Sequence, residues 1–320
     1  MLSSKIFTEK FLRTGRRRLV RSPAFHYIKP MILSPKRCLV CPVLARADVN
    51  AAVFRLDFEW PGPAPGAGQF FMLKVQRGGV FLPRPVSVYR WDGPSRRLSF
   101  LVLKKGRGTV ELGQLGMGEA VTLTGPLGNK WGTFVSAAFS TSGRVPALVG
   151  GGIGIAPLSA LGDELGGGFD LYAGFRSASF GLESLSKKAD TLVIASEDGT
   201  GGCKGRIPDF VEYLDRPCVF ACGPLPMLRA VAEQCGDAGV PCYISMETVM
   251  ACGVGACLGC TVKTTEGNRR CCADGPIFPA ENIFPKRPSA SDGPIFPAET
   301  IFPKRPSASD GPIFPAKEIL

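Results

Sequence analysis

Histidine is all but absent from this chain of 320 residues, and the one that occurs, His26, lies in a basic leader. Catalysis by an imidazole base and histidine-ligated metal are therefore nearly excluded. No run of eighteen apolar residues goes uninterrupted by charge, so the sequence supports no transmembrane helix. A secretory signal is not evident either, and twelve cysteines without one argue against a disulfide scaffold and for metal or redox use. The formal charge of +11 suggests a polyanionic partner only until it is located along the chain. Residues 1–37 carry +9, with Glu9 as their single acid, and residues 274–320 carry −1, which leaves the middle near +3. Nothing in that middle reads as a nucleic-acid surface.

What remains is a chain that is 45% hydrophobic and long enough for two domains and a small appendage. Residues 1–37 fit a start assigned too early (Met31 precedes the first strand-like stretch), a disordered basic arm or a transit-type peptide, and they are left out of the fold. Residues 38–143 alternate short strands with Gly/Pro punctuation, from CLVCPVLARADV to AVTLTGPLG, which predicts a small antiparallel barrel of about six strands. Over residues 144–244 the rhythm becomes strand, turn, helix, the pattern of a doubly wound parallel sheet. Residues 245–284 hold a cysteine-rich segment. DGPIFPAENIFPKRPSAS (274–291) recurs at 292–309, changed only at Asn282 versus Thr300, and begins again at Asp310. Ten of the 28 prolines fall in these 47 residues, so an extended, poorly packed tail is expected, with residues 285–320 outside any domain.

The most specific motif is Cys252, Cys257 and Cys260 in C-x4-C-x2-C spacing, with Cys271 and Cys272 eleven and twelve residues further on. This is plant-type [2Fe–2S] spacing. Three thiolates must come from one loop curled around a small cluster, and Gly253, Gly255 and Gly259 allow that curl. Zinc is the competing occupant, but zinc sites favour paired C-x2-C knuckles, which are missing. Spacing does not choose between Cys271 and Cys272, and the stretch TVKTTEGNRRC leaves little slack between third and fourth ligands.

Two further regions suit nucleotide cofactors. Arg84 and Ser87 of LPRPVSVYR can meet a flavin pyrophosphate and the flavin N5 region, and Gly106, Gly108 and Thr109 form a glycine turn into a helix that suits the same pyrophosphate. An exposed Arg at a strand end is the plainer reading. Gly151, Gly152 and Gly154 lie in GGGIGIAP, a strand-to-helix turn that admits a dinucleotide phosphate, although a tight structural turn has the same letters. Cys222 and Gly223 of ACGPLPMLRA form a second such strand end. Cys222 there is either beside a nicotinamide or a buried thiol. Cys203, Cys218, Cys235 and Cys242 read as packing residues. Cys38 and Cys41 face opposite sides of one strand and make no half-site. Glu197 and Asp198 lean towards NAD over NADP.

Taken in order, RPVS (84–87), GRGT (106–109), GGGIGIAPL (150–158), ACGPLPM (221–227), MACGVGAC-x2-C (250–260) and CADGPIF (272–278) resemble the electron-transfer subunits of NAD-linked dihydroorotate dehydrogenases, within the ferredoxin-reductase-like group. The resemblance spans about residues 38–284 and implies a β plus α/β architecture: an antiparallel FAD-binding β-barrel, a doubly wound parallel NAD-binding sheet and a C-terminal [2Fe–2S] segment. It implies FAD contacts at Arg84, Pro85, Val86, Ser87, Leu101, Val102, Leu103, Gly108 and Thr109, and cluster ligation by Cys252, Cys257, Cys260 and Cys272. It further implies a cytoplasmic protein that pairs with an FMN-containing catalytic subunit, two plus two, in pyrimidine biosynthesis. A nicotinamide takes a hydride and a cluster passes single electrons, so a flavin must mediate. No catalytic barrel of about 250 residues fits in the length left over. The alternatives are a ferredoxin, sulfide or sulfite reductase subunit of the same modules and a non-catalytic zinc module.

Overall fold

The computed structural model describes residues 36–285 apart from residues 78 and 136–143. The basic leader and the repeats beyond residue 285, with the readings given to them above, lie outside the described residues. Six strands rich in β-branched and aromatic residues form a closed antiparallel barrel: β1 (Arg37–Asp48), β2 (Val53–Glu59), β3 (Phe70–Val75), β4 (Arg84–Asp92), β5 (Arg97–Leu103) and β6 (Ala120–Leu127). Their order around the barrel is β1-β2-β5-β4-β3-β6. Side chains alternate across each strand, so Cys41 is buried while Cys38 is exposed. Trp60, Phe71, Phe58 and Phe100 fill the interior in edge-to-face pairs with centroids 4.9 to 5.9 Å apart. Such pairs add about 0.5–1.5 kcal/mol each beyond their burial. A short helix, α1 (Arg107–Gly113), connects β5 to β6, and another, α2 (Gly132–Val135), follows β6.

The second layer is a seven-stranded sheet. Its strands and helices are β7 (Ala147–Gly151), α3 (Ile155–Leu165), β8 (Asp170–Phe175), β9 (Thr191–Ser196), β10 (Cys203–Lys204), β11 (Val219–Cys222), α4 (Leu225–Ala238) and β12 (Cys242–Ser245). The chain then forms the hairpin β13 (Thr261–Thr264) and β14 (Gly267–Arg270), β15 (Ile277–Pro279) and α5 (Ala280–Ile283). The sheet order is β10-β9-β8-β7-β11-β12-β15, parallel throughout except where β15 runs against β12. From β7 the chain winds outward through β8 and β9, and from β11 it winds the other way to β12. The direction of winding therefore reverses between β7 and β11, where open α/β sheets bind ligands.

Residues Ile155–Gly162 of α3 are all buried, because the helix is wedged between the sheet and β4 of the barrel. Two acids at its C-terminal end fix that wedge. Asp163 receives Arg90 of β4 at 3.2 Å and Lys188 at 2.6 Å, and the Glu164 carboxylate accepts the Ala67 N–H at 2.6 Å. One continuous core runs from barrel residues such as Phe54 and Phe100 to Leu148, Leu158 and Phe220 of the sheet layer. No helix among the described residues is long and apolar enough to cross a membrane.

Two expectations change. The described part of the first repeat copy, residues 274–285, is not a loose tail: Ile277 and Phe278 are buried, and β15 completes the sheet edge. Its apolar residues have a strand to pair with, which outweighs the extended bias of the neighbouring prolines. Cys203 is exposed on β10 instead of packed, since that two-residue strand is an outer edge.

Candidate functional site

Strand β4 is shared unequally between its neighbours. Its first half pairs with β3 (Arg84↔Leu73, Pro85↔Met72, Val86↔Phe71, Ser87↔Phe70), whereas its pairing with β5 begins only at Val88↔Phe100. Beyond Phe100 the β5 residues Leu101, Val102 and Leu103 pair with β2 alone. The barrel wall therefore divides between Arg84–Ser87 and Leu101–Leu103. Each side of the division presents backbone N–H and C=O groups with no strand partner among the described residues. Such groups need an acceptor or donor from elsewhere. At the foot of the division the Arg84 side chain runs across α1: a Cβ on Gly108 would stand 2.2 Å from Arg84 Nε. Arg84 has no ion pair among the described residues. Thr109 closes the turn, accepting the Lys105 N–H at 2.9 Å and the Gly106 N–H at 3.1 Å.

The two glycine turns meet at the reversal point of the sheet. Gly151 ends β7 and a 3-10 turn over Gly152–Gly154 leads into α3. Gly152 has φ of +52°, and a Cβ on Gly154 would stand 2.2 Å from the Cys222 carbonyl oxygen, so neither position accepts a side chain without strain or collision. Cys222 ends β11, and Gly223 follows it into α4. The Cys222 thiol is 2% exposed; burial, followed by the nearby Glu247 carboxylate, holds it far above the ordinary thiol range and keeps it neutral. Burial also raises Glu247, with Lys105 opposing. The same 3-10 turn lies against the end of β5, and a Cβ on Gly181 would meet both Leu101 at 2.9 Å and Ile155 at 3.4 Å. The divided wall and the glycine turns thus border one another.

The cysteines gather from a loop and a hairpin. Residues 251–259 curl with Gly253 and Gly255 at φ of +69° and +85°. The curl turns N–H groups inward: Val254 and Cys257 both donate to Cys252 Sγ at 3.4 Å, and Gly255 donates to Cys272 Sγ at 3.1 Å. The short stretch TVKTTEGNRRC proves to be the β13–β14 hairpin, whose two-residue turn brings Cys271 back to Cys260. The Cys271 N–H donates to the Cys260 carbonyl at 3.0 Å and the Cys272 N–H to Cys260 Sγ at 3.4 Å. The adjacent thiols part company there. Cys271 donates its thiol to the Met246 carbonyl at 3.2 Å, while Cys272 faces the loop.

Burial pushes the Cys252 thiol up, but the N–H groups of Cys257, Val254 and Ala256 outweigh it and bring it to about 6. Burial and then the neighbouring Cys260 push Cys272 up to about 12. Among the described residues no three His, Cys, Asp or Glu side chains meet as one metal ion would require. Thiolates are the soft donors that a two-iron cluster takes, four of them divided between its two centres. The loop is seated on the barrel: a Cβ on Gly253 would stand 2.6 Å from Met72 Cγ, and Met72 is the β3 partner of Pro85. One strand separates the cysteine loop from the divided wall.

Residues 247–284 match the model of the iron–sulfur cluster binding domain of dihydroorotate dehydrogenase B. The "dihydroorotate dehydrogenase B (NAD(+)), electron transfer subunit" of Clostridium acetobutylicum is 41% identical over 66% of this chain and 83% of its own length. The chain belongs to that family. The member from Caldanaerobacter subterraneus subsp. tengcongensis is 37% identical over 75% of this chain and 96% of its own length. The structure of an NADH-dependent reduced ferredoxin–NADP oxidoreductase shares the fold, with a TM-score of 0.64, 24% identity and coverage of 76% of this chain and 89% of the other.

Two further groups hold the cysteine segment, and neither was given a role by the sequence: Asp274 stood inside the CADGPIF motif without one, and Asn129 lay outside every motif. Arg270 is clipped by Asp274, whose carboxylate accepts the Arg270 backbone N–H at 2.7 Å and its guanidinium at 3.1 and 3.2 Å. Burial raises that carboxyl and Arg270 more than offsets it, so Asp274 sits below the usual carboxylate range. Asn129, at the end of β6, holds the turn on its other side.

Proposed function

We propose that this chain carries electrons from an FMN-bearing, dihydroorotate-oxidising partner to NAD+, with a [2Fe–2S] cluster on Cys252, Cys257, Cys260 and Cys272 and FAD in the divided barrel wall. A cluster passes single electrons, a flavin holds one or two and NAD takes a hydride, so the three sites have to adjoin. The observation that carries the reading is the cysteine loop resting on β3, one strand from Arg84–Ser87, with the divided wall in turn bordering the glycine turns of the switch point. Family membership favours this reading over a ferredoxin, sulfide or sulfite reductase subunit.

Each residue group has a definite task. Arg84 supplies positive charge for the FAD pyrophosphate, and the Gly108–Thr109 turn lets it lie close to the start of α1. Pro85, Val86 and Ser87 on one side, and the backbone of Leu101, Val102 and Leu103 on the other, receive the flavin ring edge. Gly151, Gly152 and Gly154 allow the nicotinamide dinucleotide to approach the start of α3. Cys222 and Gly223 close the far wall, and the neutral Cys222 thiol adds no charge where a hydride moves. N–H groups of the loop stabilise the thiolates, and Cys271, turned towards Met246, stays outside the ligand set.

The partner's docking face is the cysteine loop, where Val249 (85% exposed), Leu258 (60%) and Val254 (43%) present apolar side chains to solvent. The family resemblance, and not this face, suggests a cytoplasmic assembly of two such chains with two catalytic subunits. The test compares anaerobically purified parent and Cys257→Ser proteins. The parent shows flavin bands and cluster bands that bleach on reduction. The variant loses iron and electron flow from the catalytic subunit but keeps FAD and its reduction by NADH. Unchanged iron content and unchanged flow in the variant defeat the reading.

A further inference from the structure

From β4, just past the flavin wall, a path of hydrogen bonds joined through the residues Gln69 and Gly128–Asn129 runs to the cysteine segment. It begins at β4, where the Val88 N–H donates to the Gln69 carbonyl at 3.0 Å. Gln69 is 2% exposed, and its side-chain Nε2 donates to the Gly128 carbonyl at 2.9 Å. The next residue, Asn129, then grips the turn that follows Cys272. Its backbone N–H donates to the Gly275 carbonyl at 2.7 Å. Its side-chain Nδ2 donates to the Ile277 carbonyl at 2.8 Å and to the Asp274 carbonyl at 3.3 Å, and its Oδ1 accepts the Ile277 N–H at 3.0 Å. One amide side chain thus pairs with both backbone groups of Ile277, as a neighbouring strand would. Gly128 brings the two backbones together: a Cβ there would stand 2.5 Å from Pro276 Cδ and 2.9 Å from the Gly275 carbonyl oxygen. Ile277, 1% exposed, is locked beneath, against Gly68 and Trp131.

We infer that Asn129 is the positioning residue that sets the spacing between the flavin site and the cluster. The inference rests on the assignment of those two sites given above. Asn129 touches neither cofactor. It fixes the segment carrying Cys272 to the end of β6, which is the strand next to β3 under the cysteine loop. Arg270 and Asp274 stiffen the turn internally, but among the described hydrogen bonds of the Asp274–Ile277 turn, the side-chain bonds from the barrel come from Asn129. Electron exchange between two fixed centres falls steeply with separation, so a loosened turn slows that one step. Hydride exchange between NADH and the flavin, on the other side of the divided wall, is unaffected.

The experiment uses the complex with its catalytic subunit and the variants Asn129→Ala and Asn129→Asp. Flavin and iron content are measured first; a parent protein lacking either refutes the site assignment and not the role of Asn129. In stopped flow, NADH reduces the flavin of both variants at the parent rate. The following bleaching of the cluster slows about tenfold or more in Asn129→Ala and less in Asn129→Asp, which keeps an acceptor for Ile277. Amide exchange at Ile277 accelerates about tenfold in Asn129→Ala. Where Asn129→Ala does not take up iron, the same two rates in Asn129→Asp decide. Cluster bleaching at the parent rate, or equal slowing of both steps, overturns the inference.

Discussion

Arg84 and Gly108 are joined by space instead of sequence, since the arginine stem occupies the volume a side chain on residue 108 would need. Substituting Gly108→Ala pushes aside the flexible end of Arg84 without disturbing any strand. FAD affinity therefore falls about 10- to 100-fold, in line with the ~1.5–3 kcal/mol of a charge-assisted hydrogen bond. Titration of cofactor-free protein with FAD measures this, and a melting temperature close to the parent's shows that the loss is local. The thiols also differ one from another. Burial, with Cys235 nearby, pushes Cys218 up to about 12, so at pH 8 only about one molecule in ten thousand carries its thiolate. Alkylation at pH 8 should label the exposed Cys38 and Cys203 at once and leave Cys218 untouched until the chain is unfolded. Raising the pH towards 12 increases the Cys218 thiolate fraction, which mass mapping of the labelled protein follows.

At the scale of single elements, the N-terminal edge of the sheet depends on one buried cation. Arg216, whose side chain is 2% exposed, meets Asp170 of β8 at 2.8 Å and donates to the Tyr172 hydroxyl at 2.8 Å and the Val145 carbonyl at 3.0 Å. Arg216→Ala leaves Asp170 and these acceptors unpaired, costing about 3–5 kcal/mol. Thermal unfolding should shift down by about 10 °C with FAD and iron content unchanged, because the edge lies opposite the switch point. The barrel strands and the two glycine turns were readable from sequence because alternation and Gly/Pro breaks are local signals. The β13–β14 hairpin was not, since Thr261–Thr264 and Gly267–Arg270 are largely polar and show no apolar period. Nor was β15, because Ile277 and Phe278 stand in a proline-rich repeat and become a strand only on meeting β12. The choice between Cys271 and Cys272 escaped spacing for a similar reason: the hairpin register, not the count of residues, sends the two thiols opposite ways. Asn129 left no trace, because its partners lie about 146 residues away in the chain.

For the whole molecule, the apolar side chains around the cysteine loop form the docking face proposed for the catalytic subunit. Val249→Asp places a charge on a side chain that is 85% exposed, so the stability of the isolated chain should change by less than ~0.5 kcal/mol. Affinity for the catalytic subunit should drop about tenfold or more, as measured by titrating one purified subunit with the other. Wild-type affinity in the variant would move the docking face elsewhere. The antiparallel strand β15 has a consequence for any attempt at transplantation. Residues 277–279 hydrogen-bond to β12, so the iron-binding portion is sewn into the nicotinamide half and is no detachable cartridge. A chain cut just after β12 would expose a raw, unsatisfied strand margin, prone to pairing with other copies. A graft of the same portion onto a foreign reductase would succeed only where the host offers an open margin of matching direction.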